Sequence, residues 1–291
     1  MALDPKRVVL GWPNYIEDAT LSGGAYVDTL PLANVQERRF SVVAKTAGLD
    51  PAATQFTLVL PQRRPVSVVA IPAHNMSAAA QVRVRVYRDQ AGADLVWDSG
   101  RRDVWPIVYG IGDVVWGNSN FWNRRMQEET RRSYTPLLTV FLDDQQIASR
   151  IHVELFDESN LDGALTLGRV FVSDAWQPEY NMSLGPQYGY DSGTEVTTAR
   201  DASRTEYFER FTPKRTVQLS LDWLSENEAF LRIHRLQRTQ DIVGEVLFVQ
   251  SVKPSPIEFA RSMIARQASL DPLVHPYQTT YTNQLNLQEI L

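Results

Sequence analysis

A strict alternation of apolar and charged residues along positions 81–88 is the feature that most constrains the fold of this chain. Successive side chains of an extended strand point to opposite faces. Val82, Val84 and Val86 would therefore share one face, and the intervening arginines would begin from the other. We predict a strand here that is buried on one face and wet on the other.

Two later runs have strand character as well. Residues 149–156 alternate in the same way, and residues 165–172 form another run rich in apolar residues. Between them stands Asn160-Leu161-Asp162-Gly163, whose residue types favour a turn. We predict that the two runs pair as a β-hairpin.

Short strands dominate the first two-thirds of the chain, with Gly, Pro and Asn between them and no long amphipathic helix. This pattern predicts a mostly β protein in which residues 1–176 form a β-sandwich. The predicted core consists of inward-facing strand residues. These are Val68, Ile71, Val84, Val86, Ile151, Val153, Val170 and Phe171.

Residues 177–212 differ in composition and are predicted to form an extended linker or arm. They are rich in Gly, Tyr, Ser and Asp and contain too few aliphatic residues to build a core of their own. Such a segment must order against another surface, because it cannot offset its conformational entropy internally. We predict that Tyr180, Tyr188 and Tyr190 contact other subunits.

Residues 213–291 are predicted to form a smaller α+β domain with the order β-α-β-α-β. An alternating strand at 216–223 opens it, an apolar strand follows at 246–249, and a last strand carries Leu285 and Leu287.

Two Ser-x-x-Glu motifs in this domain predict helix starts. In each capping box the serine hydroxyl accepts from a backbone amide, and the glutamate three residues later returns to the serine amide. The motifs are Ser225 with Glu228 and Ser255 with Glu258, and Pro256 would occupy the first helical position of the second.

The chain has no cysteine and only four histidines. Disulfides, thiolate zinc sites and cysteine nucleophiles are therefore excluded. His74, His152, His234 and His275 have no ligand partner nearby in sequence, so structural roles are expected for them. No pair of carboxylates stands out either. We predict no catalytic residue, no cofactor and no metal.

The charge balance also excludes classes of partner. Twenty-nine basic and 34 acidic residues give a net charge of -5, whereas a nucleic-acid-binding protein normally has a basic excess. No apolar run is long enough to span a bilayer, so membrane insertion is not expected. The N-terminal residues do not predict an export signal.

One acidic stretch is a candidate calcium loop. Glu158, Asn160, Asp162 and Gly163 approximate the ligand spacing before the loop glycine, but Arg169 stands where a bidentate glutamate is needed. We favour a hairpin turn over a metal site.

Residues 101–135 are predicted to form a long structured loop. Trp116, Phe121 and Trp122 lie in it among glycines and asparagines. Exposed aromatic rings serve protein interfaces or stack on the apolar faces of sugars. We favour protein contact and keep glycan contact as the alternative.

Several stretches together resemble structural proteins at the tail tip of siphophages, the long-tailed bacteriophages with non-contractile tails. The resemblance covers most of residues 60–291. The stretches are 68–77, 97–100, 150–157, 160–163, 167–171, 178–181, 219–224 and 269–276. Two departures stand out, since Leu161 replaces a more usual proline and Asp201-Ala202 replaces a more usual glycine pair. No sugar-binding residue is transferred from the family.

The resemblance implies a galactose-binding-like jelly roll followed by a companion domain. It also implies a non-enzymatic protein of the virion tail tip, made in the cytoplasm of the bacterial host. Such a distal or minor tail (baseplate) protein would form a ring with copies of itself that joins the tail tube and the tail-tip hub of the adsorption apparatus. The alternative is a carbohydrate-binding adsorption module that contacts a host surface glycan.

Overall fold

A computed structural model describes residues 3–198 and 204–291 of the chain. It divides into two compact units. Unit 1 contains Met1–Gln177 and Glu245–Ile264, and unit 2 contains Pro178–Gly244 and Ala265–Leu291. The division expected from sequence placed residues 245–264 with the C-terminal domain, whereas here they belong to unit 1. Residues 199–203 of the expected arm lie outside the described residues.

Most of the regular structure is β, which confirms the predicted fold class. The strands are β1 (Val9–Gly11), β2 (Thr20–Ser22), β3 (Ala44–Lys45), β4 (Phe56–Pro72), β5 (Gln81–Tyr87), β6 (Leu95–Asp98), β7 (Arg102–Asp103), β8 (Leu137–Phe156), β9 (Thr166–Leu167), β10 (Phe171–Ser173), β11 (Ala175–Trp176), β12 (Gln187–Asp191), β13 (Glu195–Thr198), β14 (Glu206–Glu209), β15 (Lys214–Leu224), β16 (Val246–Val249), β17 (Ser262–Ser269), β18 (Val274–Tyr277) and β19 (Thr280–Glu289).

The helical segments are short. They are a 3-10 turn (Leu32–Gln36), α1 (Pro51–Thr54), α2 (Glu128–Arg132), α3 (Glu226–Glu228), a π-helical segment (Ala229–His234), α4 (Arg235–Gln240) and α5 (Glu258–Arg261). The segments from α3 to α4 follow one another without a break. In the part of the chain that the structure describes, no helix is long and apolar enough to cross a bilayer.

The main sheet of unit 1 is antiparallel, with the order β10-β4-β8-β5-β6. Strand β2 also pairs with β4, and β7 pairs with β5. Strand β1 of this unit pairs antiparallel with β11 and with β16, and β3 pairs with β9. All eight residues of the predicted core are buried.

The predicted register of β5 is confirmed. Val84 lies opposite Val153 and is fully buried, while Arg83 lies opposite Glu154 on the wetter face. An Nη2 atom of Arg85 lies 2.6 Å from Oε1 of the same Glu154. Opposite charges placed across neighbouring strands favour this pairing, so the polar face supports the register that the valines set.

The predicted hairpin between residues 149–156 and 165–172 is wrong. Strand β8 pairs with β4 and β5, whereas β9 pairs with β3 and β10 with β4. The reason lies in the turn. The Asp157 carboxylate accepts from the backbone N–H and the hydroxyl of Ser77, at 2.7 and 2.5 Å. The Asn160 amide donates to the carbonyl of Asn75. These bonds hold the turn against residues 75–77, and the chain then continues to other strands.

A buried charged cluster explains why residue 245 belongs to unit 1. Arg169 is fully buried, and its Nη2 and Nε donate to Glu245 Oε2 at 2.9 and 3.2 Å. Nη2 also lies 3.2 Å from a Glu17 oxygen, and Nη1 donates to the carbonyl of Gln36. The side-chain amide of Asn14 donates to the same Glu245 oxygen. A buried charge is tolerated only with such partners.

Unit 2 contains an antiparallel sheet in which β19 pairs with β17 and β15, and β15 pairs with the edge strand β12. Strand β18 pairs with β19. Alternate residues Val217, Leu219 and Leu221 of β15 are buried, as their spacing predicts. Strands β13 and β14 form a separate two-stranded ribbon.

The predicted capping box at Ser225 is confirmed. The Ser225 hydroxyl accepts from the N–H of Glu228 at 3.4 Å, and a Glu228 carboxylate oxygen accepts from the N–H of Ser225 at 3.1 Å. The helix that follows buries Ala229, Ile233 and Leu236.

The predicted capping box at Ser255 is wrong. Ile257 precedes the single turn of α5, without a side-chain cap, and residues 262–269 are a strand instead of more helix. The Glu258 carboxylate accepts from the Ser262 hydroxyl at 2.5 Å and does not return to the Ser255 amide. The β17 residues Met263 and Ile264 are buried, and this burial overrides the local helix signal.

Candidate subunit-contact surfaces

The loop of unit 1 brings three predicted contact residues together. Trp116 and Trp122 are 75% and 81% exposed, and their ring centroids lie 5.8 Å apart. The Phe121 ring lies 4.9 Å from that of Trp116 and 5.2 Å from that of Trp122, and all three contacts are edge-to-face. We call these three residues the aromatic cluster.

Local hydrogen bonds position this cluster. The buried Asn120 side chain donates to the carbonyl of Arg125, and the Phe121 N–H donates to the carbonyl of Asn118, at 3.1 and 3.0 Å. Gly117 has a φ of 93°, a left-handed conformation that glycine adopts without strain. The rings are thus presented by a series of turns, and two of the three gain little burial from the chain itself.

Tyr188 and Tyr190 lie on the edge strand β12 of unit 2. They pair with Val217 and Arg215 of β15, so they continue the face on which those two residues are buried. The tyrosines themselves are 42% and 63% exposed. The same face of the sheet is therefore buried at β15 and exposed at the edge strand β12, where the two tyrosines lie. Tyr180, also exposed, lies in the irregular segment before β12.

The ribbon of β13 and β14 is exposed at every residue, as are strands β12 and β18 of unit 2. Val196 pairs directly with Phe208, and these two side chains are 54% and 63% exposed. Glu195 faces Glu209 in the neighbouring pair. We call residues 195–198 and 206–209 the ribbon.

The apolar residues of the ribbon, which are Val196, Tyr207 and Phe208, were not among the contact residues predicted from the sequence. A signal was present, because the β-branched run Val196-Thr197-Thr198 is followed after a polar stretch by Tyr207-Phe208. The high polarity of residues 178–212 concealed it.

The buried His74 and the half-buried His152 are bonded or packed within the fold. His74 lies 5.4 Å from the Trp105 ring, and burial, with a contribution from the charge of Arg131, lowers its pKa to about 3. Burial also lowers the pKa of His152, which shares a 2.8 Å hydrogen bond with the Thr57 hydroxyl. Both rings are therefore neutral at pH 7.

The candidate calcium loop uses its polar groups for the fold. Both Asp157 oxygens bond to Ser77, and Asp162 accepts from the side chain of Asn75. Within residues 3–198 and 204–291, no three His, Asp or Glu side chains are grouped to hold a metal ion.

No protein-family profile matches this sequence, and no curated protein sequence matches it. Several solved structures are similar to part of it. The lectin-binding domain of lectinolysin, solved as a mutant with Lewis b, is 15% identical, with 56% of this chain and 96% of that chain covered and a TM-score of 0.35.

Two similar structures come from Clostridium perfringens. The family 32 carbohydrate-binding module of NanJ, solved with galactose, is 13% identical, with 57% and 99% covered and a TM-score of 0.37. The module CBM32-1 of a family 31 glycoside hydrolase is 8% identical, with 59% and 100% covered and a TM-score of 0.34. Such modules are galactose-binding-like jelly rolls. At these low scores the likenesses assign neither a ligand nor a partner to this chain.

Proposed function

We propose that this chain is a non-enzymatic structural subunit that assembles with copies of itself through the ribbon of unit 2. The observation that carries this proposal is that Val196 and Phe208 pair directly across the ribbon and both stay exposed, within two strands that are exposed at every residue.

Energetics support a covering partner. An isolated two-stranded hairpin is only marginally stable in water. Like charges directly opposite each other, such as Glu195 and Glu209, lower that stability further. The pair of Val196 and Phe208 can gain the burial it lacks only from another surface. Aromatic residues are enriched at protein interfaces for this reason.

The finer proposal follows the sequence resemblance. A siphophage tail-tip protein would form a closed ring, in which head-to-tail contacts use two different surfaces of each copy. The ribbon and the aromatic cluster are two such surfaces, one in each unit. The ring would join the tail tube to the tail-tip hub in the virion.

Self-association can be tested by cross-linking, because the chain has no cysteine of its own. We expect Phe208→Cys to form intermolecular disulfides at rates far above those of Ile147→Cys, a matched control on an exposed apolar residue of β8. The double variant Val196→Ser with Phe208→Ser should lower association in sedimentation velocity and leave the circular dichroism spectrum unchanged. A chain that stays monomeric up to about millimolar concentration, with equal cross-linking at both positions, contradicts the proposal.

The aromatic cluster favours a second candidate, a glycan-binding adsorption module. Flat exposed rings such as Trp116 and Trp122 match the apolar faces of pyranose rings. The three solved structures named above are of lectin or carbohydrate-binding domains, and none of the three is a tail protein. On a glycan array we expect Trp122→Ala to abolish a signal that Phe208→Cys retains. If the unmodified chain gives no signal, this candidate is wrong.

A further inference from the structure

A cavity of about 420 Å³ lies within unit 1, away from any residue assigned above to subunit contact. Its walls come from three stretches of sequence and from Leu3. The stretches are residues 102–108, residues 135–143 at the start of β8, and residues 249–262. Small-molecule sites in proteins commonly have volumes of about 300–1,000 Å³. The cavity is therefore large enough for a small organic ligand.

Apolar residues make up just over half of those that line the cavity. Apolar side chains from all three stretches line it, among them Val104, Leu137, Phe141, Val252 and Phe259. A ligand that fills this space gains free energy by removing these side chains and its own apolar groups from water. The body of the ligand should therefore be a hydrocarbon chain or ring.

Four charged side chains line the wall, and they are unequally paired. The cation among them, Arg102, donates to the carbonyl of Ser99 at 3.0 Å and lies over the Trp97 ring. The Asp103 carboxylate lies 2.7 Å from Nη2 of Arg125, so its charge is compensated. Asp143 accepts from the indole N–H of Trp97, at 2.9 Å, and Glu258 accepts from the hydroxyl of Ser262. Among the described residues, neither Asp143 nor Glu258 has a basic side chain within salt-bridge distance.

Glu258 is the carboxyl group best placed to recognise a cation. Its carboxylate does not take part in a capping box, because the one predicted at Ser255 does not form. Burial raises its pKa, although the Ser262 hydroxyl, a backbone hydrogen bond at Ser251 and the charge of Arg261 act in the opposite direction. A ligand cation in the cavity would pair with this carboxylate directly, whereas Arg261 acts on it from beyond salt-bridge distance.

We propose that this cavity binds a small primary amine with an apolar body, whose ammonium group pairs with the Glu258 carboxylate. The apolar walls would hold the body, and Asp143 would add negative potential at the wall. The proposal does not depend on the self-assembly proposed above, because the cavity and the ribbon belong to different units.

The test uses the full chain and three probes with the same six-carbon body, n-hexylamine, 1-hexanol and hexanoate, at pH 7. Ligand-observed NMR or calorimetry reports their affinities. We expect hexylamine to bind about tenfold or more tightly than hexanol, because a charge-assisted hydrogen bond is stronger than a neutral one. Hexanoate should not bind.

Variants then assign the recognition to Glu258. Glu258→Gln keeps the shape of the side chain and should weaken hexylamine binding about tenfold, while hexanol binding stays the same. Glu128→Gln, an exposed glutamate of α2 that does not line the cavity, is the matched control and should change neither. Val108→Phe should fill part of the cavity and weaken both probes.

Three results would overturn the proposal. Equal affinity for hexylamine, hexanol and hexanoate would identify an unselective apolar cavity. Hexylamine binding that Glu258→Gln leaves unchanged would place the ammonium elsewhere. The absence of binding by any probe at about millimolar concentration, with the circular dichroism spectrum intact, would exclude a ligand site for such amines.

Discussion

Unit 1 and the ribbon of unit 2 both contain antiparallel strands, but they differ in what covers them. In the main sheet, Val84 of β5 and Val153 of β8 are paired and both are fully buried. In the ribbon, Val196 and Phe208 are paired in the same antiparallel way and both are exposed. Cross-strand pairing is thus present in both regions, whereas burial by the same chain is present in one.

This difference shows what pairing alone can and cannot stabilise. A buried valine stabilises the fold because its apolar surface is removed from water and because it packs closely against its neighbours. A paired but exposed valine contributes little. The side chains of the ribbon therefore contribute less to its stability than those of the main sheet, and a covering surface remains our proposal for the ribbon.

We expect the largest effect from a substitution in the buried charged cluster of unit 1. Arg169→Ala leaves the Glu245 carboxylate buried with its main charge partner removed, and this should lower the free energy of unfolding by about 3–5 kcal/mol. Arg210→Ala, beside the ribbon, is the matched control and should change it by less than about 0.5 kcal/mol. Urea denaturation followed by circular dichroism measures both. Equal effects would show that the buried cluster does not stabilise unit 1.

A matched pair of valines sharpens the comparison directly. Val153→Ala should lower the free energy of unfolding by about 2–3 kcal/mol, because it removes two buried carbons and leaves a cavity. Val196→Ala should change it by less than about 0.5 kcal/mol in the dissociated chain. The same denaturation experiment applies. A loss at Val196 as large as that at Val153 would mean that the chain itself covers the ribbon.

The free energy of unfolding should also depend on pH, because the buried His74 of unit 1 has a lowered pKa. Its pKa is about 3 in the folded state, against 6.5 for the unperturbed side chain, so the unfolded state binds more protons between these values. Stability therefore falls as the pH falls through this window, by about 2 kcal/mol between pH 7 and pH 5. His74→Asn should flatten this dependence, whereas His275→Gln, at an exposed ring, should not. Parallel pH profiles for the wild type and His74→Asn would refute the assignment.

The sequence allowed the inward face of each main strand to be predicted, because side-chain alternation is a local property of an extended chain. Val84 and Val153 were placed in the core by their spacing alone, and Ser225 was placed at a helix start by a four-residue motif. The mostly β class followed from the number of such runs.

Pairing partners could not be predicted in the same way, because they are set by contacts between distant residues. The bonds from Asp157 and Asn160 to residues 75–77 join parts of the chain about eighty residues apart, and no pattern near the turn reveals them. The same limit applies to the candidate contact residues. Composition indicated exposed tyrosines, but the pairing of Val196 with Phe208 needed the structure.

The smallest expected effects concern the two Ser-x-x-Glu motifs. They test directly whether a local motif or packing against distant residues decides where a helix forms. At Ser225 both capping hydrogen bonds are present, so Ser225→Ala should cost about 1 kcal/mol. At Ser255 the hydroxyl accepts only from the N–H of Ile257, at 3.3 Å, in an exposed turn, so Ser255→Ala should cost a few tenths, about 0.3 kcal/mol. Hydrogen exchange of the amides in residues 226–240 should rise in the first variant and stay constant in the second. Equal losses at the two serines would mean that Ser255 caps a helix after all. The buried strand residues Met263 and Ile264 would then not be what ends α5 after a single turn.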